Sequence, residues 1–440
     1  MPATSFILLL VIQLILVLGL SRIMGHIFVR FRQPQVMGEM IAGIMLGPSL
    51  FGWLAPGLFR QVFSPDSIQY LDALSQVGVI FFLFLIGLEL DPKLLRDRGK
   101  AAIAISLSSI AAPMLLGIAL AVFLYAPLFT ARNAPSLASV ALFMGAAMSI
   151  TAFPVLARIL AERNMLGSRL GTVAIACAAV DDVTGWCILA YIVVFIRASH
   201  SATSIWITLG GITIFGLVMI YAVRRLLQGF ATVYHRTGEL SENMMALMLL
   251  LVLVASLCTE RLGIHLLFGA FMMGAIMPKE QRFVRYVLDR FETITVTLLL
   301  PLFFAFTGLR TDLSLVKGPQ MWMYCGLIIV VATVGKLGGS TVAAWLSGMP
   351  PREAAGLGTL MNTRGLMELV ILDVGLDIGV ISPALFSMMI VMALVTTFMT
   401  TPMLHLVCPK ELLQGARDKA MTQQVAVQPP GLPEGESAAA

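Results

Sequence analysis

Charge is what this chain has least of. Only 12% of its 440 residues are Asp, Glu, Lys or Arg, 58% are hydrophobic, and the mean hydropathy is +0.92. Soluble domains carry about 25% charged residues, so this sequence cannot clothe a water-facing surface along its whole length. The five cysteines, Cys177, Cys187, Cys258, Cys325 and Cys408, form no CxxC pair and no ligand-like spacing to histidine. Neither a disulfide framework nor a metal centre is expected, and no cofactor. The first apolar run, TSFILLLVIQLILVLGLSRIM, has no basic stretch ahead of it and no small-residue cleavage site behind it, so it reads as a retained span. The pI is near 9.0, yet the basic residues are scattered between spans and form no single patch, which argues against nucleic acid as a partner.

What the chain has is repeated apolar runs of the length that a helix needs to cross about 30 Å of hydrocarbon. Barrel strands would be roughly half as long and alternating. Breaks of charge, Gly and Pro divide the sequence into about thirteen spans. Spans 1 to 7 lie near 4–24, 34–53, 68–90, 101–125, 137–160, 170–195 and 203–223, and spans 8 to 13 near 240–259, 262–278, 292–309, 319–347, 354–376 and 383–407. Of the 29 Lys and Arg, 21 fall on the side reached after odd-numbered spans and six on the other, while Lys336 and Arg364 lie inside spans. The positive-inside rule then puts the N-terminus outside and the C-terminus in the cytoplasm, as in a bacterial inner membrane. The tail 411–440 ends in a stretch rich in Pro, Gly, Glu and Ala, and a packed fold is not expected there. Thirteen spans divide as six, one and six. The odd middle span inverts the second six, which is the arithmetic of an inverted-repeat transporter. In agreement, GAAMSITAFPV in span 5 and GTLMNTRGLME in span 12 share Gly and Met at the same offset, followed by polar residues.

The costly residues are those charged at mid-span. Asp181 and Asp182, in AAVDDVTGW, sit half-way along span 6, too deep for so short a side chain to reach water. Burial makes the ionised carboxylate expensive and a like neighbour adds to the expense, which suits the pair to proton exchange. Once ionised, the same oxygens are hard ligands for a small monovalent cation. Competition of proton and cation for one carboxylate is a sufficient basis for antiport. Lys336, in VVATVGKLGGSTV, requires a partner in span 11. Asp181 is the expected one: pairing would leave Asp182 free, and protonating Asp181 would release the lysine. Spans 5 and 12 read as interrupted, by Ser149, Thr151 and Pro154 in one and by Asn362, Thr363, Arg364 and Gly365 in the other. Unwound backbone at that depth can offer carbonyls to a cation. Arg364 is expected to neutralise half-helix ends or to pair with Glu368, one turn on. Glu39, Asp373 and His265 are weaker candidates for a water path or a pH-sensitive group.

The segments SITAFPVLARILAERNMLGSRLG, AAVDDVTGW, MNTRGLMELVIL, GEMIAGIMLGPSLFGWLAP, FFLFLIGLELD, ERLGIHLLFGAFMMGAIMP and LLPLFFAFTGL together resemble the monovalent cation:proton antiporter-2 family of the sodium/hydrogen exchanger superfamily. The likeness is greatest to bacterial relatives of the plant cation/H+ exchangers and spans residues 4–407. It implies an all-α polytopic membrane protein with the sodium/proton antiporter fold, two inverted six-helix repeats whose interrupted helices cross. It also implies a transmembrane exchanger domain over 1–410, with a homodimer formed through a bundle of spans 1–3 and 8–10. A core bundle of spans 4–6 and 11–13 would move within the lipid bilayer in an elevator-like cycle. By position, Asp182 matches the family's ion-binding aspartate, where a monovalent cation, Na+ or K+, exchanges with H+. Asp181 and Lys336 match residues of the electrogenic members. Thr151 and Thr363 match the crossing-helix positions, with Ser149 and Asn362 beside them as candidate ligands, and Arg364 matches the arginine of an Arg-Gly motif.

A cation channel or proton-gated cation efflux system is the competing reading, but no TVGYG-like filter is present and conduction needs no buried titratable pair. An intramembrane aspartyl protease is excluded on geometry: neighbours on one helix diverge by about 100° and cannot face one bond. No enzymatic activity is expected.

Overall fold

The computed structural model describes residues 3–407, apart from 32, 90–98, 130–133, 164, 166–167, 199–201 and 263–264; the expected tail at 411–440 and Cys408 lie outside the described residues. Every regular element among them is helical. Among the described residues, eleven stretches are long and apolar enough to cross a membrane, from Ile7–Arg30 to Pro383–Val407. Two of the thirteen expected spans differ from these for separate reasons. Span 9 is the short helix Leu266–Ile276. Its 11 residues reach about 16 Å at 1.5 Å each. Span 12 is divided into Pro351–Met361 and Leu366–Asp377, each too short to cross alone.

Span 5 is divided in the same way, into Leu137–Ser149 and Phe153–Glu162. The break lies ahead of Pro154 and not at it. Ile150 is extended (φ −86°, ψ 140°), and Pro154 is the second residue of the new half-helix, where a missing N–H costs no intrahelical bond. The proline therefore starts a helix and does not kink one.

Spans 7 and 10 are longer than their apolar runs. Span 7 continues through Arg224–Thr237, and span 10 begins at Gln281, because amphipathic turns extend the helix where hydropathy has already fallen. Span 10 widens to a π turn at Thr295–Leu299, just before Pro301, whose absent N–H leaves the ladder one donor short.

The helices associate in two groups. Span 4 packs on spans 5 and 11, span 6 packs on spans 4, 5 and 12, and span 13 closes against 11 and 12. In the other group, span 1 lies on 2, span 2 on 10, span 3 on 9 and 10, and span 8 on 9. Spans 3 and 9 approach so closely at Gly87 and Gly274 that a Cβ on either would strike a backbone carbonyl, of Phe271 or Phe84. Small residues are what permit such helix contact in a lipid-facing protein. Large apolar side chains such as Leu115, Phe123, Ile214 and Leu406 point outward, as an exterior solvated by hydrocarbon requires.

Candidate functional site

The two breaks meet. Spans 5 and 12 are seven spans apart and so run antiparallel, and their non-helical links touch at mid-depth. The Ala152 N–H donates to the Thr363 carbonyl (3.0 Å), and the Thr151 hydroxyl reaches the Met361 carbonyl (3.0 Å). Each link leaves behind a half-helix C-terminus with carbonyls that lack intrahelical donors. In span 5 two cations cover them. Arg364 donates to the carbonyls of Ala147 (3.2 Å), Met148 (2.5 Å) and Ile150 (2.8 Å), and Lys336 donates to that of Ser149. The carbonyl end of a helix carries partial negative charge, so full positive charge belongs there. Arg364 also lies 3.6 Å from Glu368 through its Nε. Both roles expected for it are occupied at once.

The acidic pair stands beside this crossing, and its two members have opposite surroundings. Asp181 is buried among donors: Ser106 at 2.5 Å, Ser109 at 2.9 Å, Thr151 at 2.8 Å and Lys336 at 2.8 Å. Lys336 is held in turn by the hydroxyl (2.8 Å) and carbonyl (3.1 Å) of Ser109. Asp182, rotated about 100° around the same helix, turns to the second half of span 5, where the backbone N–H of Phe153 faces its carboxylate. Its Oδ1 is buried without a hydrogen-bond partner. An acceptor left bare in a dry interior is costly, and this one lies at the positive end of a half-helix.

The remaining predicted residues divide. The Ser149 hydroxyl donates to the Gly145 carbonyl (2.5 Å) and that of Thr363 to Leu360 (2.6 Å); both satisfy their own helix and not the acids, and only their backbone oxygens serve the crossing. Asn362 is buried with both amide atoms unsatisfied, as are both oxygens of Glu368. Glu39 is buried on span 2 and accepts from Gln35 at 2.8 Å. Asp373 is away from the crossing, bonded to Thr307 and Arg310, and His265 stands at the N-terminus of span 9. Ser106 and Ser109 were not singled out from the sequence. The available signal was their three-residue spacing, which places two hydroxyls on one face of an apolar helix.

A cavity of about 300 Å³ opens between the two helix groups and ends at this crossing. Phe153 and Leu366, the first residues of the two second half-helices, form its inner wall, and Glu89, Arg158 and Glu292 stand around it.

Residues 14–408 match the family model for the transmembrane sodium/hydrogen exchanger. The chain belongs to the sodium/hydrogen exchanger family. Among its relatives, this exchanger is 42% identical over 406 residues to a protein named Na+/H+ antiporter NhaS4 of Synechocystis, covering 92% of this chain and 98% of that one. It is 41% identical to Cation/H+ antiporter 17 of Arabidopsis thaliana, over 90% of this chain and 48% of the plant protein. It is 33% identical to K+/H+ antiporter 1 of Saccharomyces cerevisiae, over 96% and 48%. The exchanger thus spans nearly all of the cyanobacterial relative and about half the length of the plant and yeast ones. The sodium proton antiporter MjNhaP1 of Methanocaldococcus jannaschii shares its fold, with a TM-score of 0.64 at 17% identity over 96% of this chain and 99% of that one.

Proposed function

We propose that this exchanger moves a monovalent cation, Na+ or K+, in one direction and H+ in the other, and that the two compete for Asp182. The observation that carries the reading is the contrast within the acidic pair: four donors surround Asp181, while a buried oxygen of Asp182 has none. A site of this kind must be neutralised to cross a bilayer, and either a proton or a bound cation can do it. Carboxylate, amide and carbonyl oxygens are hard ligands suited to Na+ or K+; Asp182 and the orphaned Asn362 amide are the donors we assign. Family relatives that are named antiporters of Na+, K+ or unspecified cations with H+ support the same exchange.

The cavity is the path by which ions arrive, and alternating access follows from the two helix groups. The core bundle of spans 4–6 and 11–13 carries the site past spans 1–3 and 8–10, which form the homodimer. We assign the cavity mouth to the cytoplasm, because basic residues concentrate on that side, and the protein to a bacterial inner membrane. The channel reading is not favoured: the gap beyond the crossing narrows to about 30 Å³.

The test is cation-driven proton efflux from acid-loaded proteoliposomes. Wild-type protein is expected to release protons on addition of NaCl or KCl, and Asp182→Asn to release none at equal reconstitution. Equal efflux from the variant would move the shared site elsewhere.

A further inference from the structure

The open and closed faces of the exchanger are built on one plan. Spans 2 and 9, and spans 3 and 10, are seven spans apart and so run antiparallel. Gly43 of span 2 lies against the carbonyl of Ala305 in span 10, and Gly274 of span 9 against that of Phe84 in span 3, each too close to admit a Cβ. The match is reciprocal. Gly308 of span 10 meets the carbonyl of Met40, and Gly87 of span 3 that of Phe271, in each case three residues before the facing glycine. From these two glycines the chain reads GLRTD at 308–312 and GLELD at 87–91. Glu89 therefore holds, at the cavity end of span 3, the place that Arg310 holds at the closed end of span 10.

Arg310 bridges Asp373 and Asp377 of span 12 across the closed gap. At the open cavity the signs are exchanged. Glu89 and Glu292 belong to spans 3 and 10, Arg158 to the second half of span 5, and all three border the cavity. The two carboxylates are exposed and near enough to repel each other, and the charge of Arg158 is felt at Glu39 of span 2. Water in the open cavity screens the repulsion. Once the helix groups close and that water leaves, two facing carboxylates without a counter-charge would be costly. A guanidinium suits the place, because its planar fork can serve two carboxylates at once, as that of Arg310 does on the other face.

We propose that closure of the cavity joins Arg158 to Glu89 and Glu292, so that an arginine bridging two carboxylates locks each face in turn. Outside the present state the roles reverse: the Arg310 bridge opens as the Arg158 bridge forms. In one latch the arginine comes from the group of spans 1–3 and 8–10, and in the other from the group that carries the acidic pair. This rests on the alternating-access reading and names the residues that hold its second state.

The experiment reads the closed gap while the cavity residues are altered. In a cysteine-free Arg310→Gln background, which unlocks the closed face, the rate at which Val374→Cys reacts with a hydrophilic thiol reagent reports how often that gap is open and the cavity shut. Arg158→Gln is expected to slow the reaction about threefold, the worth of a partly exposed ion pair. Glu89→Gln/Glu292→Gln should slow it by as much, and all three substitutions together no further than either set, since they remove one shared interaction. The swap Arg158→Glu/Glu89→Arg should bring the rate back toward that of the background, which a merely structural role would not do. An unchanged rate on neutralising the exposed carboxylates, losses that add, or a swap no faster than Arg158→Gln would overturn the latch. Proton efflux from the same proteins separates the two readings: an absence of exchange with Na+ and with K+ overturns antiport, whereas additive losses in variants that still exchange overturn the latch alone.

Discussion

The two sides of the crossing are built from the same helices and are unlike each other. On one side the helix groups part around a cavity of about 300 Å³. On the other the gap is about 30 Å³ and is joined by polar contacts. Arg310 of span 10 pairs with Asp373 (3.2 Å) and Asp377 (2.5 Å) of span 12, and Thr307 donates to Asp373 (2.6 Å). The Asp312 N–H donates to Ser387 of span 13 at 3.1 Å. The bonds of Arg310 and Thr307 run from one helix group to the other, and that of Asp312 comes from the link that follows span 10. The lesson is that one face is held closed by charge and the other stands open, so a change of access must break ion pairs before it moves helices. The second half of span 12 records the asymmetry along its own length: Leu366 lines the open cavity, and Val374 the closed gap.

This contrast can be broken at its centre. Arg364→Gln strips cover from three carbonyls of span 5 and leaves Glu368 buried without its counter-charge. Breaking a buried pair on one side costs about 3–5 kcal/mol. Both faces should lose definition together, seen as a lower thermal midpoint in detergent along with lost exchange. A variant as stable as wild type would mean that the crossing is held by something else.

The contrast can also be measured directly. In a cysteine-free background, Ala157→Cys in the open cavity should react with a hydrophilic thiol reagent about 100-fold faster than Val374→Cys in the closed gap, as a buried position labels only when the gap opens. Similar rates would show that the two sides exchange freely. Arg310→Gln should then raise labelling at Val374→Cys by roughly tenfold, since a partly buried guanidinium paired to two carboxylates contributes about 1–2 kcal/mol. The swap Arg310→Asp with Asp373→Arg should bring it back toward the wild-type rate. Thr307→Val removes one hydroxyl bond to a charged group, so a two- to fivefold rise, about 0.5–1 kcal/mol, is the smallest effect expected. No change would assign that hydroxyl a packing role.

How much of this was written in the sequence depends on whether the signal is local. The spans follow from hydrophobic length, which the bilayer fixes, and the breaks in spans 5 and 12 from Pro, Gly and polar residues at mid-span. Arg364 was legible for the same reason, because a guanidinium at that depth demands oxygen partners. The ends of spans 7 and 10 were not, since helix continues there on amphipathic turns after the apolar run has ended. Nor was the destination of a hydroxyl. Ser149 and Thr363 look identical to Thr151 on paper, and only the rotation of each short link decides that two bond their own helix while Thr151 reaches Asp181. Arg310 reads as one of six scattered basic residues on the sparse side, and its partners are about 60 residues distant. Its role exists only once spans 10 and 12 are juxtaposed.

The central claim, that proton and cation compete for Asp182 alone, is tested most directly by counting protons released when a cation binds. Purified protein in weakly buffered detergent, held at a pH where the site is protonated, would be titrated with NaCl and with KCl while a pH indicator reads the solution. The account predicts about one proton released per cation bound, for wild type and for Arg310→Gln alike, and none for Asp182→Asn. Cation binding that releases no proton, or an Asp182→Asn variant that still releases one, would contradict it.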